Sequence, residues 1–189
     1  MKGVIVLDIQ KDTLPEISAK SETYDWIQCF VTALVCSILI FLFIGRIIRV
    51  DGISMNPTLF NNEEVVISNL FYEPEYGDIV VITKASFSDE PIVKRVIATQ
   101  GQTVDINFDT GQVWVDGVLL NEHYIAEPTH RFYDVQFPQT VPEGCIFVMG
   151  DNRNKSTDSR ASEIGMVDKR CIMGRVYFVI LPFSRIGKV

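Results

Sequence analysis

The hydrophobic rhythm of the chain changes once. Residues 26–45 carry no charged side chain, and a helix of that length, at about 1.5 Å per residue, reaches about 30 Å, the thickness of a bilayer's hydrocarbon core. The run predicts a transmembrane helix, with Trp26 at its start and Arg46 and Arg49 after its end as interface anchors. A cleaved leader is the alternative. Against it, the run is longer than a leader's apolar core, begins late, and ends in Gly45-Arg46 without an A-x-A-like site. Beyond residue 50 the apolar positions come in short β-rich runs bounded by turn residues, which predict strands over 64–70, 78–83, 92–99, 103–108, 112–120, 145–149 and 172–180. Asp116-Gly117 inside the run 112–120 marks a hairpin, and Asp109-Thr110-Gly111 turns the chain just before it. The expected fold is mainly β: a short lead-in (1–25), one N-terminal transmembrane helix (26–45), then an antiparallel β-sheet domain (46–189).

Composition agrees with that division. At 189 residues and 47% hydrophobic content, with mean hydropathy +0.19, there is room for one modest domain plus a membrane segment. The net charge of -7 gives no basic stripe for nucleic acid, and that class of partner is set aside. Orientation is not readable from charge, because Lys2, Lys11 and Lys20 precede the apolar run while Arg46 and Arg49 follow it. Cys29 and Cys36 lie in the apolar run, Cys145 and Cys171 in two later strands, and none has zinc-site spacing. No metal and no cofactor is expected, and Cys145 and Cys171 are read as small buried hydrophobes rather than a disulfide.

Three polar stretches interrupt the apolar pattern. The first is Asp51-Gly-Ile-Ser-Met-Asn-Pro-Thr-Leu59, a Gly/Pro-bounded turn directly after the apolar helix. The second is Ile92-Val-Lys-Arg-Val-Ile97, where alternation puts Lys94 on one face with Ile92, Val96 and Ala98. The third is the loop 150–160, Gly-Asp-Asn-Arg-Asn-Lys-Ser-Thr-Asp-Ser-Arg. A serine hydroxyl becomes a nucleophile only when a base takes its proton, and a lysine can do so only if its pKa falls far below about 10.4. Burial among apolar neighbours has that effect, since it disfavours the charged form. Ser54 and Lys94 are therefore a candidate pair. The plain alternative is a turn serine and a solvated Lys-Arg pair on an edge strand. His123 and His130 fall in a loop with no partnering pattern and read as surface residues. In the loop 150–160, Arg153 and Lys155 stand where a calcium loop would want oxygen ligands, and no glycine-rich phosphate pattern is present. It reads either as a solvated turn or as a buried network in which Asp158 pairs with Arg160 or Arg153, and Ser156 and Ser159 orient the lysine amine.

Taken in order, Ser54-Met55-x-Pro57-Thr58-Leu59, Gly77-Asp78-Ile79-Val80, Lys94-Arg95-Val96-Ile97 with Gly101, Gly150-Asp151-Asn152-Arg153-x-x-Ser156-x-Asp158-Ser159-Arg160, and Gly165, Val167, Gly174 and Arg175 resemble the boxes of bacterial type I signal peptidases. The match covers about residues 50–175, and the single anchor is similar to the Gram-positive form. The resemblance implies a membrane-bound serine endopeptidase that removes signal peptides from exported preproteins and acts as a monomer, with signal peptides and the lipid bilayer as its partners. It implies Ser54 as nucleophile, Lys94 as general base, Ser156 positioning Lys94, and Asp158 and Arg160 holding the loop. It implies shallow pockets for small residues, lined by Met55, Leu59, Ile92 and Val93 for the first position before the cut and by Val50 and Val93 for the third. It also implies a cytoplasmic N terminus with the β domain outside. The Ser54 N–H would be one oxyanion donor. Some members carry a serine two positions earlier as the second donor; here Gly52 stands there, leaving a water or a backbone group for that role. A related Ser/Lys protease with dedicated substrates is one alternative reading. A self-cleaving repressor would want a DNA-binding domain and an Ala-Gly or Cys-Gly bond, and neither is found. A non-catalytic binding module has no chemical need for these residues.

Overall fold

Valine- and isoleucine-rich runs with period-two burial need a second layer to cover them, and this chain supplies it by folding one sheet against another. The computed structural model describes residues 19–43 (side chains of 22–39), 45–84, 87 and 90–189. Two units are distinguished, residues 1–39 and 40–189. In the first, helix α1 begins at Ala19 and continues to Phe43. It starts earlier than the expected boundary at Trp26 and stops before Gly45, which is not helical. Tyr24, Trp26, Phe30, Leu34 and Ile38 are all exposed along it. Among the described residues no helix is long and apolar enough to cross a membrane. Residues 1–18 of the expected lead-in and Ile44 of the expected span lie outside the described residues.

The second unit holds β1 (Arg46–Arg49), β2 (Glu64–Ser68), β3 (Ile79–Ile82), β4 (Ile92–Thr99), β5 (Thr103–Asn107), β6 (Gln112–Val115), β7 (Val118–Leu119), β8 (Gln139–Thr140), β9 (Cys145–Met149), β10 (Val167–Asp168), β11 (Ile172–Leu181) and β12 (Gly187–Lys188). The large sheet runs β1-β2-β11-β3-β4-β9-β10 with β12 added on β11, and the small one runs β7-β6-β5-β8. Every pairing between these strands is antiparallel. The run 112–120 splits at Asp116-Gly117, both at positive φ (52° and 77°), the geometry of a two-residue hairpin turn. Arg46–Arg49 was not expected as a strand. It pairs with β2, and Arg49 meets Glu64 at 3.2 Å instead of serving only as an anchor.

Three apolar clusters hold β4 in place. Val93 joins Val50, Met55, Leu59, Ile79 and Val81, while Ile97 and Ala98 join Phe147, Met149 and Val104 between the two sheets. Val96 joins Val80, Ile146 and Val148. A register shift between Val96 and Ala98 against β9 moves Ala98 off the face expected from simple alternation, because a bulge inserts one residue and reverses the side-chain order beyond it. Burying each large aliphatic side chain is worth about 1.5–3 kcal/mol, which offsets the cost of taking Lys94 and Arg95 out of water.

Candidate active site

β4 lies between β3 and β9, so the Lys94-Arg95 pair is not on a solvated edge. Lys94 is 4% exposed and stands opposite Val80. Its Nζ donates to Ser54 Oγ at 3.0 Å and to the carbonyl of Val93 at 3.0 Å. Desolvation pushes the amine down to about 8; Arg160 acts in the same direction, while Asp158 and Asp151 oppose it. A neutral amine, able to accept a proton, is thus within reach at mildly alkaline pH.

Ser54 sits half-buried in a turn pinned from several sides. Val50 N donates to Glu63 O and Asn62 N to Val50 O, each at 2.8 Å, closing the loop at its base. The loop 150–160 grips the serine's own backbone: Asn152 N donates to Ser54 O at 2.9 Å, and Asn152 Nδ2 to Ile53 O at 3.1 Å. Among the described residues no hydrogen bond engages the Ser54 N–H. Gly52 has φ +88° with open space around it, so backbone strain rather than crowding disfavours a side chain there. Its own N–H donates to Asn61 Oδ1 at 2.8 Å and is not free to serve as a second oxyanion donor.

The loop 150–160 is a buried network, not a solvated turn. Asp158 pairs with Arg160, through Nε to Oδ1 at 2.8 Å and Nη2 to Oδ2 at 2.9 Å. Burial alone would raise the Asp158 carboxyl, but the charge and hydrogen bonds of Arg160 and the N–H of Gly150 hold it below the ordinary carboxylate range. The alternative partner, Arg153, instead meets Glu122 through Nη2 at 2.5 Å and Nη1 at 2.9 Å. Burial would push that guanidinium down, and Glu122 holds it up. The two serines expected to orient Lys94 both bond within this network. Ser156 Oγ donates to Asp158 Oδ2 at 2.9 Å. Ser159 Oγ accepts from Val148 N at 3.0 Å, fastening the loop to β9.

A third guanidinium pair was not assigned from the sequence. Arg95 holds Asp151 with Nε to Oδ1 at 2.8 Å and Nη2 to Oδ2 at 2.7 Å. Thr58 Oγ1 donates to the same carboxylate at 2.5 Å, and the Tyr124 ring lies 4.1 Å from the Arg95 guanidinium carbon. The pairs Arg95–Asp151, Arg153–Glu122 and Arg160–Asp158 are all nearly buried. Paired this way, each guanidinium fixes a carboxylate in one orientation, and together they tie the Ser54 turn, the lysine strand and the polar loop to one another. Asp151 and Arg95 both stand within motifs legible in the sequence; their mutual contact is not legible there. Glu122 had no signal.

The expected pocket residues divide. Val50, Met55, Leu59 and Val93 share one cluster, whereas Ile92 packs half-buried against the cluster that includes Val80 and Ile82. Cys145 and Cys171 are free and half-buried, and they pack against different clusters. His123 and His130 are exposed. Among the described residues no group of His, Cys, Asp or Glu is arranged to hold a metal ion.

Residues 23–181 match the family described as signal peptidase, peptidase S26. The chain belongs to that family. It is 35% identical over 179 residues to signal peptidase I of Bacillus licheniformis, covering 89% of this chain and 94% of that one. It is 37% identical over 183 residues to signal peptidase I S of Bacillus subtilis (strain 168), covering 91% and 96%. A crystal structure of a signal peptidase I from Enterococcus faecalis V583 is similar with a TM-score of 0.45 and 30% identity, over 55% of this chain and 97% of that one. Membership makes this chain a signal peptidase, a hydrolase of peptide bonds. Within this chain Ser54 Oγ and Lys94 Nζ stand 3.0 Å apart, a hydroxyl beside an amine that burial pushes toward its neutral form.

Proposed function

We propose that this signal peptidase is a membrane-anchored serine endopeptidase using a Ser54/Lys94 dyad and cutting preproteins after small residues at Ala-x-Ala-like sites. The observation that carries the reading is the 3.0 Å contact between a buried lysine and a half-buried serine. Neutral Lys94 takes the Ser54 Oγ proton as the oxygen attacks the scissile carbonyl. The Ser54 N–H stabilises the oxyanion, and the ammonium then returns its proton to the leaving amine. The neutral Lys94 amine next takes a proton from water as its oxygen attacks the acyl-enzyme ester, and returns that proton to Ser54 Oγ as the ester bond breaks. Ser156, Asp158, Arg160, Ser159 and Arg153 act by holding the loop against Ser54. Val50, Met55, Leu59 and Val93 are buried in one cluster, and by the family resemblance they and Ile92 back the apolar surface that would select small side chains, while Gly52 leaves the approach unobstructed.

Anchoring is supported by the absence of charge from Trp26 to the end of α1 and by the exposure of its described apolar side chains, which need an apolar surrounding. In this reading the chain is a monomer with its N terminus in the cytoplasm, its β domain outside and no cofactor. The test is cleavage of a preprotein bearing an Ala-x-Ala site by the detergent-solubilised protein, comparing the parent with Ser54→Ala and Lys94→Ala. The parent should cut after the final alanine and both variants should lose about 10²–10⁴-fold or more. Equal rates in all three would remove the dyad.

A further inference from the structure

The C-terminal turn of the domain carries a guanidinium that grips the nucleophile's loop. Arg185 lies in the turn Phe183–Arg185, between β11 and β12, and β12 folds back onto β11 with Phe178 opposite Lys188 and Val179 opposite Gly187. The turn is therefore placed by the sheet. From it, Arg185 Nη2 donates to the carbonyl of Thr58 at 2.9 Å, and Nε lies 2.5 Å from Glu63 Oε1. Its guanidinium carbon stands 4.4 Å from the Phe60 ring. Glu63 closes the Ser54 loop, its side chain is 3% exposed, and its other oxygen accepts from Phe60 N at 2.9 Å. Among the described residues Arg185 makes the one ion pair of that buried carboxylate.

We propose that Arg185, through Glu63 and Thr58, is a positioning residue that sets Ser54 against Lys94, an inference that rests on the reading of Ser54 as the nucleophile. Thr58 is held on two sides. Arg185 takes its carbonyl, while its hydroxyl donates to Asp151, which Arg95, the neighbour of Lys94, binds through two nitrogens. A line of contacts thus runs from the C-terminal turn through the nucleophile loop to the base's strand. Without Arg185 the buried Glu63 charge has no counter-ion. The loop then relaxes toward water, and that change moves the turn that carries Ser54. A displacement of about 1 Å at a reacting atom costs on the order of 100-fold in rate.

The experiment uses the full chain in detergent with a preprotein substrate. It measures kcat, KM and the thermal midpoint for Arg185→Gln, Arg185→Lys, the double variant Arg185→Gln/Glu63→Gln, Ser54→Ala, and Arg170→Gln as a surface control. Arg170 pairs with Asp168 and its side chain is 89% exposed. Expected are a fall of about 10-fold or more in kcat for Arg185→Gln with KM within about twofold, and a smaller fall for Arg185→Lys. The double variant, which removes the stranded charge, should recover at least about threefold in kcat over Arg185→Gln, and Arg170→Gln should match the parent. An inactive Ser54→Ala beside a fully active Arg185→Gln overturns the positioning role alone. So does a loss in Arg185→Gln that the double variant does not relieve and that follows the thermal midpoint. Full activity in Ser54→Ala overturns the nucleophile assignment, and this role with it.

Discussion

Lys94 Nζ and Ser54 Oγ, forty positions apart in the chain, stand 3.0 Å from each other. The contact joins a turn to a central strand, and each partner is held by something other than the contact itself. Val93, Val96 and Ile97 anchor the strand in three clusters, and Asn152 pins the turn. The amine is pushed down to about 8, chiefly by desolvation.

The first prediction is a pH profile. A depressed lysine pKa means the amine is neutral above about 8 and charged below it, so kcat/KM should rise with pH through that value and level off above it. The same shift carries a stability signature. Between about 8 and the ordinary 10.5 the unfolded chain holds a proton that the folded site does not, so this group's contribution to stability grows as pH rises across that window. Lys94→Met should abolish activity and flatten this part of the stability curve. Denaturant titrations of parent and variant across the window check it, and a parallel pair of curves would count against the buried neutral amine.

A second prediction concerns Gly150. A Cβ built there would meet Ser156 Oγ at 2.2 Å and the Ser54 carbonyl oxygen at 2.5 Å. The loop and the Ser54 turn touch at this glycine, and a backbone oxygen cannot swing aside as a side chain can. Gly150→Ala should therefore lower kcat by about 100-fold, while Gly144→Ala, where nothing lies within 4 Å, should keep its rate and lose only stability through its positive φ. Preprotein cleavage by both variants, with melting curves, decides the point.

Glu122 supplies a third. Arg153 is fully buried and pairs with it, so Glu122→Ala leaves an uncompensated guanidinium inside the loop and should cost about 3–5 kcal/mol of unfolding free energy. Glu122→Gln keeps an acceptor and should cost less. Urea unfolding of the two variants measures the difference; equal and small losses would mean water reaches Arg153 and the loop is not the sealed network described above.

Much of this molecule could be read along the chain. The strand runs, the Asp116-Gly117 hairpin and the uncharged stretch of α1 are local patterns, set by side-chain periodicity and turn chemistry within a few residues. Ser54 and Lys94 stood out for the same reason: one in a Gly/Pro-bounded turn, the other among apolar neighbours. What tertiary structure alone decided is which distant groups meet. Ser159 turned to the backbone of β9, Arg153 took Glu122 across 31 positions, and Arg185 reached Thr58 across 127. Ile92 and Val93, adjacent in sequence, went to opposite clusters because a strand sends successive side chains to opposite faces, and the bulge after Val96 took Ala98 from the face that alternation assigned it. Sequence determined the longer strands and left β1, β8, β10 and β12 unread, because a long strand declares itself by local sterics and hydropathy while a short one exists only through its partner. The partners of each buried charge depend on the register and packing of strands far apart in the chain, and only the folded sheet sets those.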